Sequence, residues 1–152
     1  MRHFWIFVHL LGFTMWLGGA LGAMTVGIAS RREAREHLGA AVRLLAAVYR
    51  VLIFPGSLAT VVSGLVLTLI IYGGPGAMEA VNHWVMTMMA TGLIAALITL
   101  IAVVPTAFRT TRLDPVTQAV QFDALRKKVS RLGMISGTFG LIALISGALS
   151  RP

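Results

Sequence analysis

Hydrophobic residues in this chain fall into four long runs, at 4–29, 51–72, 83–104 and 132–149, separated by two arginine- and lysine-rich stretches and one glycine-rich stretch. A helix of about 18 to 25 apolar residues crosses the roughly 30 Å hydrocarbon layer of a bilayer, so each run predicts a transmembrane helix. Between the first two runs, Leu38, Ala41, Val42, Leu45, Val48, Tyr49 and Leu52 recur at three- and four-residue spacing, while Arg31, Arg32, Arg35 and Arg43 lie off that stripe. This pattern predicts an amphipathic helix over 30–50, lying at the membrane surface. Ser30-Arg-Arg-Glu33 has the spacing of a capping box, which would start that helix at Arg31. Pro55 predicts a kink one turn into the second run, and Pro105 an end or kink of the third. Gly73-Gly-Pro-Gly76 reads as a tight turn into a short polar segment, 78–82. Asp114-Pro115 is an N-cap and first-turn pair, opening a helix that carries Arg126, Lys127, Lys128 and Arg131 toward its end. The expected fold is an all-α, integral membrane four-helix bundle in one domain, 1–152, with basic amphipathic helices in the connecting segments 30–50 and 105–131.

Composition agrees: 57% of the 152 residues are hydrophobic and 12% are charged, too apolar for a soluble domain. The formal charge of +8 does not point to nucleic acid, because the basic residues flank apolar runs instead of covering a polar face. Of the 13 Lys and Arg, 11 lie in the stretches after the first and third runs, and only Arg2 and Arg151 lie on the other side. The positive-inside rule then places those stretches in the cytoplasm and both termini outside, with anionic lipid as the expected partner of the basic cytoplasmic helices. The first run is longer than the apolar region of a signal peptide and ends in a basic cluster, so it reads as a retained span. With no cysteine, any metal or cofactor must be held by His, Met, carboxylate or backbone. The carboxylates Glu33, Glu36, Glu79, Asp114 and Asp123 all lie outside the runs, which disfavours a carboxylate proton relay, and no P-loop, GxSxG or HExxH motif is present.

Two kinds of signal remain. Small residues at four-residue spacing, Gly18 and Gly22, then Gly56, Thr60 and Gly64, then Gly133 and Gly137, predict close helix packing, within one bundle, in a homo-oligomer or against a larger membrane complex. The chemical signal is His9, an imidazole inside the first apolar run. Ionisable groups at that depth are costly and point to a functional site. His83 heads the third run at a similar expected level, so packing of the first and third spans would let both imidazoles ligate one haem iron, with a methionine in place of one imidazole as a variant; the plainer alternatives are that His9 only hydrogen-bonds a neighbouring helix and that His83 is a wet interfacial residue beside Asn82. Trp16 is a candidate to pack against a planar cofactor, or else a buried packing residue. Met78, Met86, Met88 and Met89 open a second chemistry, since thioether and imidazole ligands, here His9, His83, Met86 and Met88, suit Cu(I). Core filling explains the same methionines.

The stretch His9, six residues, Trp16, then Leu17-Gly18-Gly19 resembles the first helix of copper-resistance D-type membrane domains and their small four-helix bacterial relatives, and that of HemJ-type protoporphyrinogen oxidases. Tyr49-Arg-Val-Leu-Ile-Phe-Pro55-Gly56, followed by Thr60 and Gly64, is similar to the start of the second helix of the HemJ-type proteins. The resemblance covers the first two spans. It implies a bacterial inner (plasma) membrane protein in which His9 is a haem ligand and Trp16, Gly18 and Gly19 are scaffold positions. The chain departs from the HemJ-type pattern after Gly19, where Ala-Leu-Gly-Ala-Met stands in place of Leu-Pro-Arg, and after Trp84, where Val-Met-Thr-Met stands in place of a segment with lysine. The leading expectation is therefore a haem b protein with a redox or tetrapyrrole-related role, a haem-dependent oxidoreductase if an enzyme. Copper handling and a structural accessory subunit are the alternatives.

Overall fold

The computed structural model describes residues 1–74 and 81–150; segment 75–80, with Met78 and Glu79, and the terminal pair 151–152 lie outside the described residues. The described elements are all helical: α1 Arg2–Ala29, α2 Arg35–Val48, α3 Phe54–Tyr72, α4 His83–Leu97, α5 Val104–Thr110 and α6 Ala119–Leu149. Wider π-helical segments, Tyr49–Ile53 and Ile98–Val103, join α2 to α3 and α4 to α5 without a break. The result is four rods, Arg2–Arg32, Arg35–Tyr72, His83–Thr110 and Ala119–Leu149, each long and apolar enough to cross a membrane.

Each π-helical segment ends two residues before a proline, Pro55 or Pro105. Proline has no N–H, and its ring crowds the carbonyl four residues back, which here is Val51 or Ile101 inside the wide segment. Widening the turn absorbs that conflict, so neither proline ends its helix. The third rod runs on past Pro105 to Thr110, and the second begins well before Pro55.

Helix starts differ from the sequence expectation in two places. Ser30 has helical backbone angles, φ −67° and ψ −7°, instead of the extended geometry of an N-cap. It continues the first rod as a 3₁₀ turn, and its hydroxyl donates back to the Gly27 carbonyl at 3.0 Å. The next helix starts at Arg35, after an extended Ala34. Asp114 accepts from the backbone N–H of Val116 at 2.7 Å and of Thr117 at 3.0 Å, but it caps a turn, and α6 begins at Ala119.

The apolar stripe of α2 packs within the protein. This stripe, Leu38, Val42, Ala46, is buried and continues through Tyr49 and Ile53 into Gly56, Thr60 and Ser63 of α3. Leu38 and Val42 pack on Phe122, which is fully buried near the start of α6, with Leu113 beside them. The second and fourth rods thus extend beyond their most apolar stretches as a packed pair, tied by Arg35 donating to the Asp123 carboxylate at 2.9 Å and to the Pro115 carbonyl at 3.3 Å. Arg126 donates to the Ser30 hydroxyl at 2.9 Å and lies 5.9 Å from the centre of the Phe122 ring, which fixes the end of α1 to α6.

Two tight antiparallel seams build the bundle. Along α1 and α3 the facing pairs are His9 with Ser63, Gly12 with Thr60, Trp16 with Gly56 and Gly19 with Ile53, and in every pair the residue numbers add to 72. The 3-4-3 steps on both helices are those of an antiparallel knobs-into-holes seam. Along α4 and α6 the pairs are Met88 with Gly147, Gly92 with Ala143 and Thr99 with Ser136. Ser136 donates to the Ala95 carbonyl at 2.9 Å and meets the Thr99 hydroxyl at 2.7 Å, hydrogen bonds across the seam that hold two apolar helices in register. The two seams meet more lightly, α3 against α4 and α1 against α6, so α1 and α4 stand at diagonal corners. The shared apolar core, Trp16, Ala23, Tyr49, Ile53, Ala95, Ala96, Val103, Val104 and Ala107, runs from mid-bundle toward the basic end. The start of α1, the end of α6 and His9 share the opposite end.

Candidate functional site

Glycine is what brings α1 and α3 close enough to form the site. A β-carbon on Gly56 would stand 2.7 Å from the Trp16 backbone nitrogen and 2.8 Å from the Gly12 carbonyl oxygen, and one on Gly12 would stand 2.9 Å from the Gly56 carbonyl oxygen. Only glycine fits such a backbone-to-backbone approach. One turn toward the termini, this closeness carries the His9 ring onto the backbone of α3. His9 Nδ1 lies 2.9 Å from the Thr60 carbonyl oxygen and 3.1 Å from the Ser63 hydroxyl oxygen. A carbonyl can only accept, so Nδ1 carries the proton and donates it to Thr60. In the neutral imidazole Nε2 is then left with an unprotonated lone pair. The Ser63 hydroxyl donates to carbonyls of its own helix, Ala59 and Thr60, and its oxygen faces Nδ1 as a second acceptor.

The ring is cradled as well as bonded. A β-carbon on Gly64 would lie 3.2 Å from His9 Cε1 and 3.5 Å from Nδ1, so the absence of a side chain there gives the imidazole its seat. Thr60 and Ser63 are buried, and His9 is partly buried at the edge of the seam. An imidazole whose Nδ1–H is fixed by a backbone carbonyl, with Nε2 left as donor, is the arrangement by which proteins orient a metal- or haem-ligating histidine. Held by Thr60 and Ser63 and seated on Gly64, His9 would supply one imidazole ligand to a metal or haem iron bound there.

The other expected site residues are not brought to His9. His83 is exposed at the start of α4, its ring against Trp84 at 4.8 Å between centroids, and α4 stands diagonally across from α1. Met86 and Met88 are two residues apart on one helix, roughly 200° around its axis, and point away from each other. Met86 is 59% exposed on the outer surface, whereas Met88 packs against Gly147 of α6. Met89 turns to α3, with the Thr68 hydroxyl 3.7 Å from its sulfur. The expected grouping of His9, His83, Met86 and Met88 therefore does not form within one chain. Among the described residues no group of three or more His, Asp or Glu is placed to hold a metal ion. Trp16 is 7% exposed and fills the core beside the Gly12–Gly56 crossing, leaving no face for a planar cofactor.

The glycines sort by the same test. Gly19, Gly56 and Gly64 lie in the α1–α3 seam, where a β-carbon on Gly19 would meet Ile53 at 2.9 Å. Gly18, Gly22, Gly133 and Gly137 have no other group within 4 Å of where a β-carbon would stand, so the expected Gly18–Gly22 and Gly133–Gly137 rows are not helix contacts in this chain. Gly18 sits one residue, about 100°, from Gly19 and therefore faces away from α3. Gly12 and Ser63, which four-residue spacing passes over, carry the seam instead. The signal that finds them is the 3-4-3 spacing of His9, Gly12, Trp16 and Gly19, matched by Ile53, Gly56, Thr60 and Ser63. No family model, curated protein or solved structure matches the chain.

Proposed function

We propose that this is an integral membrane protein that binds haem b at the terminal end of α1 through His9, in a redox or tetrapyrrole-related role. The observation that carries the reading is the His9 Nδ1 hydrogen bond of 2.9 Å to the Thr60 carbonyl, which holds the ring and leaves Nε2 as the ligating nitrogen. Ser63 adds an acceptor at the same nitrogen, and Gly64 leaves room for the ring. Bound haem would supply one-electron exchange at its iron. The chain's own contribution is to orient the imidazole and to fix its proton on the α3 side. The resemblance of the first two helices to copper-resistance D-type and HemJ-type proteins supports the same reading, and the positive-inside rule orients His9 toward the outer face of a bacterial inner membrane.

The test is an absorption spectrum of the protein purified in mild detergent from haem-replete cells, oxidised and then reduced with dithionite, beside His9→Ala. A Soret band that His9→Ala loses and His83→Ala keeps is the expected result. A featureless native spectrum overturns the proposal. Metal analysis then separates copper handling from the accessory-subunit role, which predicts neither cofactor but constant co-purification with other membrane subunits.

A further inference from the structure

α6 carries a feature that the haem reading does not use. Ala124, Lys127, Lys128, Arg131, Leu132 and Ile135 line a shallow open groove on its outer flank. Arg131 is nine residues from Phe122, which places it about 180° around the helix from the buried side. Lys127, Lys128 and Arg131 are exposed. Among the described residues the only ion pair is Arg35 with Asp123, so no carboxylate neutralises these three cations. Arg126, the neighbouring basic residue, is already committed to Ser30 and Phe122 and is not part of the groove.

The order of residues along the groove is as informative as their charge. Lys127, Lys128 and Arg131 form its first part, and Leu132 and Ile135 its continuation toward the long apolar stretch that ends at Leu149. From Leu132 to Leu149 a helix rises about 27 Å at 1.5 Å per residue, close to the thickness of the hydrocarbon layer. The cations therefore stand at headgroup level, and Leu132 and Ile135 at the level where acyl chains begin. We propose that this flank of α6 binds an anionic phospholipid of the surrounding bilayer, its phosphate among Lys127, Lys128 and Arg131 and an acyl chain along Leu132 and Ile135. This differs from diffuse attraction of a basic surface to an anionic membrane, because it assigns the selectivity to three of the eleven cations at that end.

The experiment extracts the full-length protein in mild detergent from bilayers of phosphatidylcholine with a minority of phosphatidylglycerol, and counts retained lipids by native mass spectrometry. The native protein is expected to retain phosphatidylglycerol over phosphatidylcholine. Lys127→Gln/Lys128→Gln/Arg131→Gln should lower that ratio severalfold, toward no preference over phosphatidylcholine. Arg31→Gln/Arg32→Gln/Arg112→Gln, which removes the same charge from exposed positions at the same end, should leave it near the native value. Equal losses in the two triple variants would show diffuse attraction and overturn the groove. So would an unchanged ratio in the groove variant, or no preference in the native protein. Arg131→Gln alone should give the same effect at smaller amplitude, with helical content by circular dichroism unchanged.

Discussion

Substituting alanine for Gly56 tests the physical basis of the whole α1–α3 arrangement. The new β-carbon would lie 2.7 Å from the Trp16 nitrogen, 2.8 Å from the Gly12 oxygen and 3.0 Å from the Met15 β-carbon. Two of these atoms are backbone and cannot rotate away, and ordinary contact begins near 3.4 Å, so the helices must part by about 0.6 to 0.7 Å at this level. A gap of that size forfeits a quarter to a half of the dispersion energy of the facing atoms, and overpacking at such a site costs about 1 to 3 kcal/mol. The alanine returns up to about 0.5 to 1 kcal/mol of helix propensity, leaving a net loss of about 0.5 to 2 kcal/mol. Gly18→Ala is the internal control: nothing stands within 4 Å of its β-carbon position, so it should be neutral or slightly stabilising. Reversible unfolding in mixed detergent micelles, followed by tryptophan fluorescence, measures both, since Trp16 sits at the clash. If the two variants agree within about 0.5 kcal/mol, the glycine crossing is not what sets the helix separation.

Three further outcomes follow from particular contacts. Phe122→Ala empties a fully buried site between α2 and α6 and should cost about 3 to 5 kcal/mol, seen as faster hydrogen exchange across Arg35–Val48 while α1 keeps its protection; unchanged exchange in α2 would refute the packed extension. Ser136→Ala removes the hydroxyl between Ala95 and Thr99 but leaves Thr99 bonded to the Ala95 carbonyl, so its cost should stay near 0.6 kcal/mol, typical of a hydrogen bond between membrane helices; a loss several times larger would mean the seam depends on that bond. The N–H groups of Thr117 and Val116 hold the Asp114 carboxyl below the usual carboxylate range. The turn is therefore intact above the ordinary carboxylate pKa of about 3.9 and loosens only as pH falls through the lower folded value. Amide chemical shifts of Val116 and Thr117 should titrate with that lowered midpoint and lose their pH dependence in Asp114→Asn; a midpoint at or above 3.9 would show that the caps do not form.

Extra helical turns at the basic end show where pattern and packing part company. The stripe of residues 38–52 predicted an amphipathic helix, and a helix is present, but periodicity alone does not say what its apolar face meets. Phe122 supplies the answer, eighty residues later in the chain, by packing against Leu38 and Val42. The capping-box spacing at Ser30 failed for a similar reason: the end of α1 is held by Arg126 and by the Ser30 bond to Gly27, so the backbone there stays helical instead of opening into a cap.

Legible in the sequence alone were four helices long and apolar enough to cross a membrane and the segregation of charge between their two ends. Both need only length, apolarity and the cost of exposing polar groups to lipid, and these are local properties of the chain. Which faces of the spans meet was decided by tertiary structure. In a soluble helix the apolar stripe marks the buried side, but a membrane helix is apolar all round, so Gly12, Gly18, Gly19 and Gly22 look alike until a partner helix is placed. The same holds for the site. His9 was legible as an ionisable group in an apolar run, whereas the Thr60 carbonyl, the Ser63 hydroxyl and the seat at Gly64 became its partners only because Gly12 and Gly56 let two backbones approach closely enough. Diagonal placement of α1 and α4 likewise separates His9 from His83, a separation that no spacing along the chain encodes.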